Sequence, residues 1–169
     1  DLTTAVKGMR QLQDGGIDLV EQPIPLWDRQ GLIILSQRFE VPILADEAVG
    51  TSHDGYALAN GGFTGAYALK IAKAGGPAQA LKLAHVAQAA GVALYGGTML
   101  EGTVGTLASL HAWSTVPMRW GTEMFGPLLL KDDVVVRPLD FSRGQVTLPS
   151  GPGLGIDIDT DKLRHYARP

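Results

Sequence analysis

The fold is decided by residues 66–96, which read AYALKIAKAGGPAQALKLAHVAQAAGVALYG. This stretch begins with one short aliphatic run and ends with another, Val92–Gly96. Between the two runs, Pro77 follows two glycines, apolar residues recur at helical spacing, and Gly91 supplies a stop signal. A helix enclosed by two such runs is typical of a β-α-β unit, whose strands are parallel.

The same alternation of strand and helix extends along most of the chain. Helices are predicted near residues 3–13, 29–38, 53–60, 77–90 and 103–114. Strands are predicted at Ile17–Glu21, Val41–Asp46, Ala66–Ile71, Val92–Gly96 and the more polar run Met118–Gly121. Strands buried on both faces of a parallel sheet are continuously apolar, as most of these runs are. The pattern therefore predicts an α/β fold with a parallel sheet.

Polar residues or glycine follow these runs at steps of 24 to 27 residues: Glu21, Asp46, Lys70, Gly97 and Glu123. Parallel strands all return in the same direction, so these residues are predicted to lie at one end of the sheet. In a (β/α)₈ barrel that end carries the active site, and eight units take roughly 250 residues. The 169 residues of this chain have room for about five units. We therefore expect a partial TIM-type barrel whose other strands precede the first residue.

The sequence changes character after Phe125. Val134–Val136 and Gln145–Leu148 predict short antiparallel strands, and residues 159–166 predict a final helix with an Asp or Thr cap. We therefore divide the chain into residues 1–130, the carboxyl-terminal part of a barrel domain, and residues 131–169, a strap that returns across the barrel mouth.

The composition excludes several classes of protein. With 45% apolar residues, 18% charged residues and a mean hydropathy of +0.09, the chain is not disordered. A net charge of −3 without a basic stripe argues against nucleic acid or an anionic membrane as a partner. No apolar run approaches the roughly 18 residues of a membrane span, and there is no cysteine. A soluble, cytoplasmic protein without disulfides or thiolate metal sites is expected.

Glu21 and Asp46 are candidate metal ligands. Carboxylates are rarely buried without a partner, and two of them on adjacent strands would repel one another unless a cation lay between them. Ligation by oxygen alone suits Mg²⁺ or Mn²⁺. The alternative is that both are solvated loop acids or caps of the following helices, and the spacing alone leaves both interpretations open.

Lys70 interrupts an apolar strand and is a candidate catalytic residue. Inside a barrel its ammonium must be paired, or its pKa must be lowered, which would make it a base. The alternative is a lysine on an edge strand whose ammonium reaches solvent. Lys73, three residues later, is predicted to lie in a solvated loop.

Residues 96–103 read GGTMLEGT and lead from a strand into a helix. They lack the Lys and Ser or Thr of a nucleotide-binding loop, so nucleotide binding is not expected. Backbone N–H groups at the start of the helix could hold a substrate carboxylate, or the glycines could form only a tight turn.

Five segments in this order resemble the carboxyl-terminal half of the muconate cycloisomerase family, in the muconate-lactonizing subgroup of the enolase superfamily. They are IDLVEQP (17–23), ILADE (43–47), ALKIAKAGG (68–76), YGGTMLE (95–101) and GTEMFGP (121–127). The resemblance covers essentially the whole chain. It implies a modified (β/α)₇β barrel with a separate amino-terminal capping domain.

The resemblance also implies roles for particular residues. Glu21 and Asp46 would be the second and third of three carboxylate ligands to Mn²⁺ or Mg²⁺, and Glu47 would support them from outside the coordination sphere. Lys70 would face the substrate as acid, base or electrostatic stabiliser, and Glu123 would be a second catalytic residue. Three further residues would border the substrate: Gly97, Thr98 and Phe125.

The implied activity is that of an isomerase of aromatic catabolism, the metal-dependent interconversion of cis,cis-muconate and muconolactone through an enolate-type intermediate. The first metal ligand, a Lys-x-Lys pair and the capping domain would lie upstream, so these 169 residues alone are expected to be inactive. The partners would be a small dicarboxylate substrate and further copies of the enzyme in a homo-oligomer.

Other functions remain open at this point. The ALKIAK segment favours unsubstituted muconate over chloromuconate as the substrate. A chloromuconate cycloisomerase, a dipeptide epimerase and an o-succinylbenzoate synthase are alternatives within the superfamily. A Schiff-base aldolase that uses Lys70 would need no metal. A half-barrel with a purely structural role would bind no metal at all.

Overall fold

The computed structural model describes residues 1–167, so the last two residues of the predicted strap lie outside the described part. The α-helices are α1 Leu2–Asp14, α2 Arg29–Arg38, α3 Ser52–Asn60, α4 Ile71–Ala74, α5 Pro77–Ala89, α6 Thr103–Trp113 and α7 Thr160–Tyr166. The strands are β1 Val20–Glu21, β2 Ile43–Ala45, β3 Ala66–Leu69 and β4 Ala93–Gly96, and a 3₁₀ turn covers Gly126–Leu129. No helix within the described residues is long and apolar enough to cross a membrane.

The four strands form one parallel sheet in the order β1-β2-β3-β4, so each strand pairs with its neighbour in sequence. Helices connect successive strands, as the β-α-β pattern requires. The prediction of an α/β fold with a partial parallel barrel is confirmed. The four strands are shorter than predicted.

The prediction of a fifth strand at Met118–Gly121 is wrong. In the described residues this region contributes one parallel bridge to β4, between Gly96 and Thr122. The chain turns at Gly121, whose φ of 76° is incompatible with an extended strand. The run therefore lies beside β4 without continuing the ladder.

The sheet separates a large core from a smaller one. Side chains on its outer face pack against the helices, and they include Ile43, Ala45, Tyr67, Leu69 and Leu94. Side chains on its inner face form a second cluster, with Leu44, Ala66 and Ala68 buried and Leu19, Ala93, Tyr95 and Trp120 packed against them. Because successive residues of a strand point to opposite faces, the two clusters alternate along each strand.

The carboxyl-terminal region contains less strand than predicted. Val135 forms a single antiparallel bridge with Ile158, and Gln145–Leu148 forms no strand in the described structure. A short run becomes a strand only where a partner lies alongside it, and none pairs with residues 145–148. The predicted final helix is present as α7, and the Asp159 side chain caps it by accepting the Asp161 and Lys162 N–H groups.

Side chains attach this region to the start of α6. The residue before α6 is Gly102, which has no side chain to cap the helix. Instead, the Asp133 carboxylate accepts the Thr103 N–H at 2.7 Å. Gly126 packs so closely on the preceding loop that a Cβ there would lie 2.3 Å from the Glu101 carbonyl oxygen. These contacts brace the loop between β4 and α6.

Candidate active site

The candidate residues extend the inner face of the sheet beyond the ends of its strands. Leu44 and Ala68 point to the inner face, so Asp46 and Lys70, two residues further along, continue the same side. Leu19 and Tyr95 pack on that face too, and Glu21 and Gly97 follow them at the same interval. The period of two residues in a strand therefore brings residues from all four strands to one opening.

Asp46 is the centre of the polar cluster at this opening. The residue is only 6% exposed, and each of its carboxylate oxygens accepts a hydrogen bond from a lysine ammonium group. Lys70 Nζ lies 2.5 Å from Asp46 Oδ2, and Lys73 Nζ lies 2.7 Å from Oδ1. Lys73 Nζ also donates to the Asp46 and Ala68 carbonyl oxygens at 2.6 and 3.0 Å.

The prediction that Lys73 lies in a solvated loop is therefore wrong. Lys73 belongs to α4, a helix of four residues that begins directly after β3. One turn of helix carries the side chain back over the end of the strand, where its ammonium meets three oxygen acceptors. Burial lowers the pKa of Lys73 from its usual value, although Asp46 opposes this shift.

The charges of Asp46 and Lys70 stabilise one another. Burial alone would raise the pKa of Asp46, but the hydrogen bonds from Lys70 and Lys73 hold it below the usual value. Burial likewise disfavours the charge on Lys70, but Asp46, Glu21 and Glu123 hold its pKa above the usual range. Of the two possibilities for a buried lysine, the paired ammonium is the one observed.

Glu21 lies at the end of β1, the edge strand of the described sheet. The residue is exposed, yet partial burial of its carboxyl group raises its pKa. The negative charge of Asp46 raises the pKa further, and Lys70 opposes the shift. Glu21 and Asp46 are therefore close enough to repel one another across the opening.

Glu123 approaches from the far side of the opening. Its Oε1 accepts the Thr98 N–H at 3.3 Å, which ties it to the glycine-rich loop. Burial and the nearby Glu123 carboxylate raise the pKa of Tyr95 to about 12. Thr98 itself is buried, and its hydroxyl donates to the Glu101 carboxylate. The glycine-rich loop is thus held at Thr98 by the carboxylates of Glu101 and Glu123.

Three other predicted residues lie around the same opening. A Cβ on Gly97 would lie 2.8 Å from Lys70 Cε, so the glycine allows the lysine side chain to pass. Phe125 is 41% exposed and, with Glu123, lines a cleft of about 580 Å³. Glu47 is exposed and lines a second cleft of about 720 Å³ beside Glu21.

Sequence reasoning missed three residues of this cluster: Gln22, Lys73 and Tyr95. Strand alternation could have indicated Tyr95, which lies two residues before Gly97 on the inner face. The position of Lys73 depends on α4, and four residues are too few for a helical period to be recognised. Gln22 has no signal of its own, because its contacts are made with a turn 24 residues away.

The donor set at this opening fits a hard divalent cation in part. The Asp46 charge raises the pKa of Glu21, and a divalent cation between the two carboxylates would relieve that repulsion in place of the Lys70 and Lys73 ammonium groups that now bind Asp46. Carboxylate oxygens are the ligands that Mg²⁺ and Mn²⁺ prefer. Within residues 1–167, no third His, Cys, Asp or Glu joins them to complete a metal-binding group.

Acids and lysines at the carboxyl ends of parallel strands are typical of the active-site face of a β/α-barrel enzyme. The chain belongs to the enolase C-terminal domain-like family, which matches residues 1–162. It is 48% identical to muconate cycloisomerase 1 of Pseudomonas putida, over 99% of this chain and 45% of that protein. It is 42% identical to a chloromuconate cycloisomerase of Delftia acidovorans, over 99% of this chain and 46% of the relative.

Solved structures of muconate lactonizing enzymes also match nearly the whole of this chain. The crystal structure of a muconate lactonizing enzyme from Klebsiella pneumoniae matches with a TM-score of 0.97 and 66% identity, over 100% of this chain and 48% of that one. The muconate lactonizing enzyme from Pseudomonas putida matches with a TM-score of 0.95 and 47% identity, over 99% of this chain and 47% of that one. The chain therefore spans about half the length of the relatives that it matches.

Proposed function

We propose that this chain forms the carboxyl-terminal half of a muconate cycloisomerase, a cytoplasmic homo-oligomeric isomerase that interconverts cis,cis-muconate and muconolactone. The proposal is supported by the similarity to enzymes with that name along 99% of this chain. One observation carries it: at a single opening of the sheet Asp46 accepts hydrogen bonds from Lys70 and Lys73, and Glu21 and Glu123 lie near enough to raise the pKa of Lys70. In this proposal residues 1–130 complete the barrel, and residues 131–169 form the strap beside its mouth.

In this proposal Glu21 and Asp46 hold Mn²⁺ or Mg²⁺, together with a ligand from outside this chain, and Glu47 supports the pair. When bound, the ion supplies electrostatic stabilisation of the negative charge that develops on the substrate beside its carboxylate. The raised pKa of Lys70 keeps its ammonium charged at neutral pH. Lys70 therefore acts as an electrostatic stabiliser that faces the same developing charge.

The remaining candidates orient the substrate. Glu123 accepts the Thr98 N–H, so the acid and the loop hold one another in place. Gly97 leaves room for Lys70, and the exposed ring of Phe125 offers an apolar surface to the carbon chain of a dicarboxylate. Binding that fixes the reacting atoms in this way lowers the entropic part of the barrier.

The experiment is to measure Mn²⁺-dependent turnover of muconate by the complete enzyme with Glu21→Gln or Asp46→Asn. Each substitution removes one charged ligand while keeping the shape of the side chain. We expect kcat to fall about a hundred- to a thousandfold, the scale of losing one strong electrostatic interaction in a transition state. Glu40→Gln, a change at the amino end of β2, is the matched control and should leave kcat unchanged. Turnover at the wild-type rate in either ligand variant would refute the proposal.

A second candidate activity is that of a chloromuconate cycloisomerase, which the 42% identity to such enzymes favours. The ratio of kcat/KM for cis,cis-muconate to that for 2-chloromuconate separates the two. We expect the ratio to favour muconate, and a preference for the chlorinated substrate would transfer the proposal to the second activity.

The charge of Lys70 also bears on the aldolase alternative. A Schiff base forms from a neutral amine, whereas the acids around Lys70 hold its pKa above the usual range. Borohydride reduction in the presence of substrate should therefore leave the mass of the enzyme unchanged. A covalent adduct on Lys70 would favour the aldolase.

A further inference from the structure

Gln22 has a backbone conformation that glutamine rarely adopts. Its φ is 37°, and in the described structure only one other residue that is not glycine, Leu100, has a positive φ. The left-handed region costs an ordinary residue about 1 kcal/mol or more, and glycine pays no such cost. A glutamine held in this conformation indicates that the surrounding contacts outweigh the backbone strain.

The Gln22 side chain joins the turns that follow β1 and β2. Its Oε1 accepts the Asp46 N–H at 3.0 Å and the Ala48 N–H at 3.2 Å. Its Nε2 donates to the Ile24 carbonyl oxygen at 2.8 Å. The amide thus uses both lone pairs of its oxygen for one turn and one of its hydrogens for the other.

These bonds join the two segments that carry the candidate metal ligands. Glu21 immediately precedes Gln22, and Asp46 is the residue whose N–H group Gln22 accepts. Glu21 and Asp46 repel one another, which tends to separate the two turns. The Gln22 amide opposes that separation with two hydrogen bonds between the turns, while its bond to the Ile24 carbonyl holds the amide in place, and none of the three adds charge to the cluster.

We propose that Gln22 is a positioning residue that fixes the separation of the Glu21 and Asp46 carboxylates and thereby sets the affinity of the site for its divalent cation. This inference rests on the proposed function, in which those two residues are ligands. Groups that orient metal ligands without touching the metal typically contribute 10- to 100-fold to metal affinity.

Other residue types lack what the position requires. Methionine has a similar length and no acceptor for the two N–H groups. Glycine relieves the backbone strain and removes the side chain altogether. A glutamate would turn a carboxylate oxygen toward the Ile24 carbonyl oxygen and place a third negative charge beside Glu21 and Asp46.

Gln13 offers a matched control, because it contacts the chain before β2 whereas Gln22 contacts the chain after β2. Its Oε1 accepts the Glu40 and Val41 N–H groups, at 2.8 and 3.4 Å, just before β2 begins. Gln13→Met therefore removes two hydrogen bonds of the same kind from the turn that leads into β2. It changes nothing at the carboxyl end of that strand, where the ligands lie.

The test measures the dissociation constant of Mn²⁺ by electron paramagnetic resonance of the free ion, in the complete enzyme without substrate. Wild type, Gln22→Met, Gln22→Gly, Gln13→Met and Glu21→Gln are compared. Urea unfolding of each variant with a chelator present checks that the fold is retained and gives the general loss of stability. A purely structural residue would lower stability without a selective loss of Mn²⁺ affinity.

We expect the dissociation constant to rise at least tenfold in both Gln22 variants and less than twofold in Gln13→Met. An unchanged dissociation constant in Gln22→Met, an equal rise in Gln13→Met, or wild-type affinity in Gln22→Gly would each overturn the inference. Glu21→Gln separates this result from the proposed function. If Glu21→Gln binds Mn²⁺ as tightly as wild type, the proposed function fails. If Glu21→Gln binds Mn²⁺ more weakly but the Gln22 variants bind it as tightly as wild type, only the inference about Gln22 fails.

Discussion

Replacing Lys73 by methionine tests how strongly its ammonium stabilises the end of β3. The ammonium makes three hydrogen bonds, to Asp46 Oδ1, the Asp46 carbonyl and the Ala68 carbonyl, at 2.7, 2.6 and 3.0 Å. The Lys73 side chain is 17% exposed and that of Asp46 is 9% exposed, so solvent replaces little of what is lost. Removing one partner of a buried ion pair costs about 3–5 kcal/mol.

The expected loss for Lys73→Met lies at the lower end of that range, about 3 kcal/mol. Lys70 still neutralises Asp46 through the other carboxylate oxygen, so the acid is not left as an unpaired charge. The Ala68 carbonyl loses its bond to the ammonium, and methionine fills the space of the stem but offers no donor.

The free energy of unfolding of the complete enzyme, measured in urea at pH 7 with a chelator present, gives the result. Lys82→Met on the exposed side of α5 is the control, and a surface change of this kind should stay within about 0.5 kcal/mol. A loss for Lys73→Met no larger than that of the control would refute the reasoning, because it would mean that the three bonds contribute nothing net.

Two further predictions concern a helix cap and a glycine. Asp54 lies in the capping box of α3, and although burial alone would raise its pKa, hydrogen bonds from Thr51 hold it below the usual value. Because the folded pKa is the lower one, the free energy of unfolding of wild type should exceed that of Asp54→Asn by about 1 kcal/mol at pH 7, and the difference should disappear as the pH falls through the lowered pKa of the folded state. Urea unfolding at several pH values measures this, and a difference independent of pH would contradict it. Gly97→Ala places a Cβ 2.8 Å from Lys70 Cε, so the flexible lysine must shift. We expect kcat for muconate to fall roughly tenfold or more with little change in the urea midpoint, and an unchanged kcat would show that Lys70 tolerates the displacement.

The parallel sheet was predictable because its signal is local and repeated. The predicted helices at 29–38 and 77–90 coincide with α2 and α5, and the second combines a start signal, a helical period and a stop. The end of the sheet at which Glu21, Asp46 and Lys70 lie follows from the constant step between strands.

What could not be predicted depends on contacts between distant segments. The charge state of Lys70 is set by Asp46, 24 residues earlier, and the sequence left both a lowered pKa and a paired ammonium open. The Met118–Gly121 run occupies the position of a fifth strand in the series, yet its pairing with β4 is limited by the turn at Gly121. The connection between Asp133 and Thr103 spans 30 residues, and no periodic pattern encodes it.

The long-range cap of α6 has a consequence for how the protein is synthesised. Gly102 and Thr103 leave the ribosome before Asp133 does, so the first turn of the helix emerges without its acceptor. Until the later segment arrives, water must satisfy the free N–H groups of that turn. The first turn of α6 therefore gains its side-chain acceptor only after residue 133 has been synthesised.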